Sequence, residues 1–147
     1  MANGDIPVYS ANVQEPFGMI DRLLITDFKR NSILWGIDGD WMVNYIPKDS
    51  PFFPTDHCGV LRVDEKVVNS HFVMYMLEIA GKRAGFSRSY RASIDRIEGL
   101  TIPAVPLKEQ NAIMKKVEAI EEQIRKEVTK MQGLEEKRSR VVTSFLE

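Results

Sequence analysis

The last third of the chain constrains the fold most, because it carries a long apolar repeat and no proline after position 106. Pro103 and Pro106 favour extended backbone at the residues before them, and Pro106 itself suits the first turn of a helix. Apolar residues then recur at steps of three and four, which is typical of a coiled-coil seam. These seam residues are Ile113, Val117, Ile120, Ile124, Met131, Leu134, Val141 and Phe145. The sequence therefore predicts a long C-terminal coiled-coil helix.

Three residues interrupt this repeat. Glu127 and Arg138 stand where a coiled coil has apolar residues, and Gly133 costs about 1 kcal/mol relative to alanine inside a helix. At 1.5 Å per residue, an unbroken helix would be on the order of 60 Å long. We expect such a helix to project from a small domain and to need a partner. A hairpin bent near Gly133 is the alternative.

Residues 1–102 show many short strand-like runs and one helical run, which predicts an α+β domain with an irregular, mostly antiparallel small sheet. The strand-like runs are residues 6–11, 20–25, 32–35, 41–45 and 58–63. Residues 36–39 (Gly-Ile-Asp-Gly) predict a hairpin turn between the third and fourth runs. Residues 47–54 are predicted to form a loop, and residues 69–80 a helix capped by Asn69 or Ser70. Residues 103–147 form the second predicted region, the coiled-coil helix.

Charge and cysteine content exclude several classes of protein. The formal net charge of −1 gives no global sign of nucleic-acid binding, so local patches must carry that argument. Cys58 is the single cysteine, which excludes an internal disulfide and a cysteine zinc cluster. No apolar run approaches the roughly 18 residues of a membrane span, and the first residues lack the pattern of a signal peptide. We therefore expect a cytoplasmic location and no membrane segment.

The densest chemical signal lies in residues 81–96, where basic side chains alternate with hydroxyl and aromatic groups. The basic residues are Lys82, Arg83, Arg88 and Arg91, and the side chains between them include Phe86, Ser87, Ser89 and Tyr90. Such side chains bind phosphates, and arginine also reads guanine in the major groove. We expect Gly81 and Gly85 to let the backbone approach a duplex closely. The segment predicts DNA contact; a solvated basic loop without a ligand is the alternative.

Other candidate sites are weaker. Asp38 with Asp40, or Asp56 with His57 and Cys58, suggest a metal site. Adjacent residues on a strand point to opposite faces, however, so turn carboxylates and a hydrogen-bonded histidine are the favoured interpretation. No set of residues has the spacing of a catalytic motif, and the sequence predicts no cofactor.

Residues 100–110 carry a recognisable pattern, Leu-Thr-Ile-Pro-Ala-Val-Pro-Leu-Lys-Glu-Gln, which is followed by the long helix. This run resembles the conserved spacer region of the DNA-specificity subunits of type I restriction-modification enzymes, where the pattern is roughly Ile-Pro-x-Pro-Pro-x-x-Glu-Gln. Val105 stands in place of the first proline of the usual pair. Residues 6–11, 52–57, 60–61 and 85–89 are similar to stretches of that family's target recognition domain.

The resemblance implies a non-catalytic subunit whose residues 1–102 read a half-site in double-stranded DNA. Residues 103–147 would form a spacer that docks methyltransferase subunits and, through them, the restriction subunit. Family members carry two such domains and two antiparallel helices in one chain, whereas this sequence has one of each, and we expect that its domain lacks the usual start. We therefore expect a half-subunit or a fragment, paired as a homodimer through its helix. A coiled-coil assembly adaptor without DNA binding is the alternative, and a small hydrolase ranks third.

Overall fold

The computed structural model describes residues 4–146, which divide into two compact units, one ending at Gln110 and the other beginning at Asn111. The described strands are β1 (Ile6–Tyr9), β2 (Gly18–Ile20), β3 (Ser32–Gly36), β4 (Val43–Ile46), β5 (Phe53–Pro54) and β6 (Cys58–Leu61). The helices are α1 (Ser70–Ala84), α2 (Ile94–Glu98) and α3 (Leu107–Thr143). Short strands followed by a long helix confirm the α+β class that the sequence predicts.

The strands form two three-stranded sheets rather than the one sheet that we expected. The order is β2-β1-β5 in the first and β4-β3-β6 in the second. All pairs are antiparallel except β1 with β5, which pairs Val8 with Phe53 in parallel. Because β5 has only two residues, it shows no alternation of its own, and its sequence was predicted as loop. The run at 20–25 was also wrong as a strand, since β2 ends at Ile20.

Strand β3 is the centre of the first unit, and all five of its residues are buried. Its side chains alternate between two apolar clusters, as the period of a strand requires. Ile33 and Trp35 pack with buried residues of both α1 and α2, whereas Leu34 packs with Tyr9 and Phe52 on the other face. The second sheet therefore has a core on each side. This burial holds the β3–β4 hairpin firmly, and that hairpin supports the candidate site described below.

Helix α1 begins where the sequence predicts and ends later. Asn69 is its cap, and its Oδ1 accepts a hydrogen bond from the Phe72 N–H at 2.9 Å. The helix ends at Gly85, whose φ of 79° is a left-handed conformation that glycine adopts without strain. The buried Gln110 side chain links this helix to the proline segment, because it accepts from the Asn69 N–H and donates to the Val105 carbonyl.

Helix α3 passes through Gly133 without a break, so the bent hairpin near that residue does not form. Phe145, predicted to be part of the seam, lies in the turn after the helix, where its N–H donates to the Val142 carbonyl. Seven of the eight seam residues are exposed and large, and Val117 is half-buried. Within residues 4–146, no helix is both long and apolar enough to cross a lipid bilayer.

Candidate nucleic-acid interface

The basic segment predicted to contact DNA centres on a loop, residues 86–92, that joins α1 to α2. We call it the arginine loop. Its two ends, Phe86 and Ala92, are buried in the core. The Ala92 N–H donates to the Ile37 carbonyl at 3.0 Å, and its carbonyl accepts from Trp35 Nε1 at 2.8 Å. The loop is therefore fastened to the β3–β4 hairpin at a buried point, while the residues between its ends face solvent.

A tight turn shapes the exposed part of the loop. Ser87 and Tyr90 exchange two backbone hydrogen bonds of 3.0 and 3.1 Å. The turn places Arg88 and Ser89 at the tip of the loop, and the Ser87 and Ser89 hydroxyls lie 3.2 Å apart. Backbone pairing of this kind limits the positions that the Arg88 side chain can reach. The predicted residues of this stretch are thus brought together on one rigid turn.

One aromatic ring and one cation hold the Tyr90 side chain in place. Its ring stacks on Phe86, with centroids 5.6 Å apart, and the Arg96 guanidinium lies 4.0 Å from its centre. Arg96 Nη1 also donates to the Arg91 carbonyl at 2.8 Å. Arg96 was not among the predicted site residues. The available signal was that Arg96 lies close to the basic cluster in the sequence, but the adjacent Asp95 offsets its charge there.

Acidic residues from the β3–β4 turn neutralise the two loop arginines. Arg88 makes a bidentate contact with Asp40, Nε to Oδ1 at 3.0 Å and Nη2 to Oδ2 at 3.1 Å. Arg91 pairs with Asp38, which also accepts from His57 Nδ1 at 2.5 Å. The sequence showed no acid between Arg83 and Arg91, so this pairing could not be read from the segment itself. The favoured interpretation of Asp38, Asp40 and His57 as paired turn residues agrees with these contacts.

Lys82 and Arg83, the other two predicted cations, do not join the arginine loop. They occupy the last turn of α1 and line different cavities of about 430 and 480 Å³. Lys82 Nζ pairs with Glu78 at 2.6 Å, whereas Arg83 makes no ion pair with any residue in the range 4–146. Successive residues of a helix point about 100° apart, since a turn holds 3.6 residues. The structure therefore divides the four predicted cations into a pair on the loop and two separate side chains.

The cavity beside Lys82 contains aromatic side chains that the sequence did not single out. Tyr45 stacks on His71 at 4.8 Å between centroids, and His71 stacks on Tyr75 at 5.5 Å. The cavity is also lined by Trp41, whose Nε1 donates to the Glu78 carbonyl at 3.0 Å. Helical spacing places His71 and Tyr75 one turn apart on the same face of α1. Flat aromatic rings of this kind can stack on nucleotide bases.

Two glycines that we expected to admit a duplex have structural roles in and after α1. Gly81 is buried beneath Trp41, and a Cβ added there would lie 2.2 Å from the indole ring. Gly85 supplies the left-handed residue that ends α1. Helix packing requires glycine at position 81 and helix capping favours it at position 85, whereas close approach of a duplex to them stays a prediction.

The ion pairs shift the pKa values of the groups that form them. The hydrogen bond from His57 lowers the pKa of Asp38, and the one from Arg88 lowers the pKa of Asp40. Asp38 and then Asp56 raise the pKa of His57 above its ordinary value of 6.5. These carboxylates therefore remain charged, and His57 adds positive charge beside the arginine loop in mildly acidic solution. Among residues 4–146, no three His, Cys, Asp or Glu side chains are arranged to hold a metal ion.

We expect replacement of Asp38 with asparagine to lower the pKa of His57 toward 6.5, because a neutral amide replaces the carboxylate that stabilises the imidazolium. In the unchanged protein, the His57–Asp38 contact stabilises the fold fully below the unfolded pKa near 6.5, and this stabilisation disappears as pH rises through the folded pKa. An NMR titration of the imidazole protons measures the shift. Asp40→Asn is the matched control and should leave the His57 pKa in place; equal pKa values in all three proteins would contradict the assignment.

Comparison with known proteins adds a family match to this geometry. The model of the family described as type I restriction modification DNA specificity domain matches residues 1–136. Neither the curated proteins nor the solved structures include a significant match to the chain.

Proposed function

The chain belongs to the type I restriction modification DNA specificity domain family, and we propose that within it the arginine loop reads bases of a DNA half-site. The chain is non-catalytic in this proposal. Methyltransferase subunits dock on it and carry out the chemistry, and a restriction subunit joins through them in the cytoplasm. The observation that carries the proposal is the placement of Arg88 and Arg91 on a turn whose ends are buried.

Preorganisation is the physical reason to assign base contact to these two arginines. Asp40 already holds one edge of the Arg88 guanidinium through Nε and Nη2, in the planar, two-donor geometry that a guanine O6 and N7 can also accept. An exposed ion pair contributes little to stability, so a duplex can replace the carboxylate. Less side-chain freedom is then lost on binding than for an unpaired arginine. A rigid loop with a replaceable partner suits recognition of particular bases.

The acids also affect binding to DNA of any sequence. Asp38 and Asp40 offset the charges of Arg88 and Arg91, so the loop attracts phosphates only weakly from a distance. Affinity for random DNA comes mostly from charge and counterion release. A neutralised loop therefore favours selective over indiscriminate binding. The same neutralisation is the observation that favours the alternative, a coiled-coil adaptor that does not bind DNA.

We expect the Arg88→Ala/Arg91→Ala variant to bind the target duplex about 10- to 100-fold more weakly per base-reading arginine. The target comes from selection on random duplexes with the methyltransferase partner present, and fluorescence anisotropy over a range of salt measures binding. Lys82→Ala/Arg83→Ala should instead weaken target and random DNA equally, and the salt slope should fall by about one for each phosphate-binding cation that is removed.

Two further variants serve as controls for this measurement. Arg125→Ala removes an exposed arginine that pairs with Glu122 at 2.6 Å on α3, and it should leave DNA binding unchanged. Asp40→Asn frees Arg88 and should strengthen binding to random duplexes. If replacing all four cations leaves binding to target and random DNA unchanged, the loop is not the interface. If the unmodified protein binds no DNA with its partner present, the adaptor alternative stands.

Helix α3 supports the assembly part of the proposal. Its seam residues Ile120 and Ile124 are 57% and 56% exposed, and Met131, Leu134 and Val141 continue the same apolar stripe. Long apolar stripes on soluble proteins mark interaction surfaces. We propose that a second copy of the chain covers the seam through a two-fold axis, which makes the contact self-complementary. Each dimer would then carry two recognition domains, one for each half of an interrupted palindromic site.

A further inference from the structure

The two charged residues on the seam, Glu127 and Arg138, carry opposite signs, and the unbroken helix keeps both in the apolar repeat. The Glu127 side chain is exposed and contacts Lys130 Nζ at 3.2 Å, an ion pair between residues three apart on the helix surface. Arg138 is exposed as well. Exposed pairs of this kind are readily exchanged for others. Both charges are therefore available to a partner helix that covers the seam.

We propose that Glu127 and Arg138 determine the direction and register of self-pairing, with Glu127 of each copy facing the partner's Arg138. This inference rests on the proposed homodimer and specifies how its helices align. The occupant of the seam is a second copy of this chain. Charge complementarity between the two off-pattern residues is the observation that selects it.

A parallel pairing in register fails this test of complementarity. It sets Glu127 against the partner's Glu127 and Arg138 against the partner's Arg138, because residues of equal number face each other in such a coil. Like charges facing each other in a contact are destabilising. The two helices would therefore repel each other at positions 127 and 138.

An antiparallel pairing with the longest overlap, in which Ile113 faces the partner's Phe145, fails for another reason. It sets Arg138 against the partner's Ile120 and Glu127 against the partner's Met131. Each charge then loses water without gaining a partner, which is costly in an apolar interface. Symmetry repeats both mismatches, so four charged side chains would be buried without partners.

Shifting the two antiparallel helices by one heptad relative to each other gives each charged seam residue a partner of opposite charge and each apolar seam residue in the overlap an apolar partner. Glu127 then faces the partner's Arg138, Ile124 faces the partner's Val141, and Met131 faces the partner's Leu134. The two-fold axis repeats each contact, so the dimer holds two Glu127–Arg138 pairs within an otherwise apolar seam. A polar pair inside a coiled coil specifies register at some cost in stability.

This register leaves part of the seam uncovered. The two α3 helices overlap over residues 122–143 in this register, and the turn after each helix extends the register to residue 119, so Ile113 and Val117 lie outside it. Ile113 is 42% exposed and would remain open to another protein while the dimer is intact. In this register the homodimer therefore leaves the N-terminal end of α3 uncovered.

Charge reversal on the full chain tests the register. We expect Glu127→Arg and Arg138→Glu, each alone, to raise the dimer dissociation constant about 100-fold, because each sets like charges face to face twice. The double reversal Glu127→Arg/Arg138→Glu should restore the dimer. An equal mixture of the two single variants should form heterodimers, since every layer is then matched. Sedimentation velocity over a dilution series measures all four samples, with Glu136→Arg, an exposed reversal off the seam, as the control.

Disulfide trapping reports the direction independently. Ile124→Cys/Val141→Cys should give covalent dimers on mild oxidation, whereas either substitution alone should not; the native Cys58 is buried and does not compete. If the unmodified chain is a dimer but single reversals do not weaken it, or if single cysteines cross-link, the register is wrong and the homodimer stands. If the unmodified chain is a monomer, the homodimer and the register are both overturned.

Discussion

Replacing Gly59 with alanine is expected to lower the free energy of unfolding by about 3 kcal/mol, near the upper end for overpacking a core. Gly59 lies in β6 directly opposite Trp35 of β3. The Trp35 indole crosses the glycine, and a Cβ there would lie 2.1 Å from ring atom Cε2. Trp35 is 4% exposed and bonded through Nε1 to Ala92, so its ring cannot move away without breaking packing at the arginine loop.

Urea unfolding followed by tryptophan fluorescence, at one fixed protein concentration, measures this destabilisation. Gly18→Ala is the matched control, because Gly18 is also in a strand and an added Cβ there would have no neighbour within 4 Å. The control should change stability by no more than about 0.5 kcal/mol. Equal unfolding midpoints for Gly59→Ala and the unmodified protein would contradict the packing described for Trp35.

The variant Ile120→Asp/Ile124→Asp is expected to be monomeric at micromolar concentration. In the proposed homodimer Ile124 faces the partner's Val141 and Ile120 lies one seam layer further, at the end of the paired region, so symmetry places four new carboxylates in the seam of each dimer. Burying unpaired charge in an apolar seam is strongly unfavourable. Light scattering on the full chain measures the molar mass, and circular dichroism checks that the first unit remains folded.

Two exposed residues off the seam provide the control for this experiment. Ala119→Asp/Gln132→Asp adds the same number of negative charges to the outer face of α3 and should leave the dimer intact. A monomer in the unmodified protein would contradict self-pairing, and so would a dimer that persists in the isoleucine variant. Dissociation of the control alone would indicate that a different face of the helix pairs.

Local sequence patterns were sufficient for several elements. The steps of three and four after Pro106 predicted α3, Asn69 or Ser70 was predicted as the cap of α1, and the Gly-Ile-Asp-Gly turn predicted the β3–β4 hairpin. Each of these depends on residues that are neighbours along the chain, where periodicity, capping and turn geometry act directly. The family resemblance in residues 100–110, confirmed by the match over residues 1–136, is local in the same sense.

What only the tertiary structure decided depends on residues far apart in the chain. Strand β5 exists because Phe53 meets Val8 of β1, and two residues have no periodicity that would reveal this. The charge of the arginine loop depends on Asp38 and Asp40, which chain folding brings to Arg91 and Arg88. Packing sets such contacts through the summed burial of many side chains, whereas a helical pattern is set residue by residue. The sequence by itself therefore determined α1, α3, the hairpin and the family, whereas only the fold revealed α2, which of the basic residues stand together and which acids neutralise them.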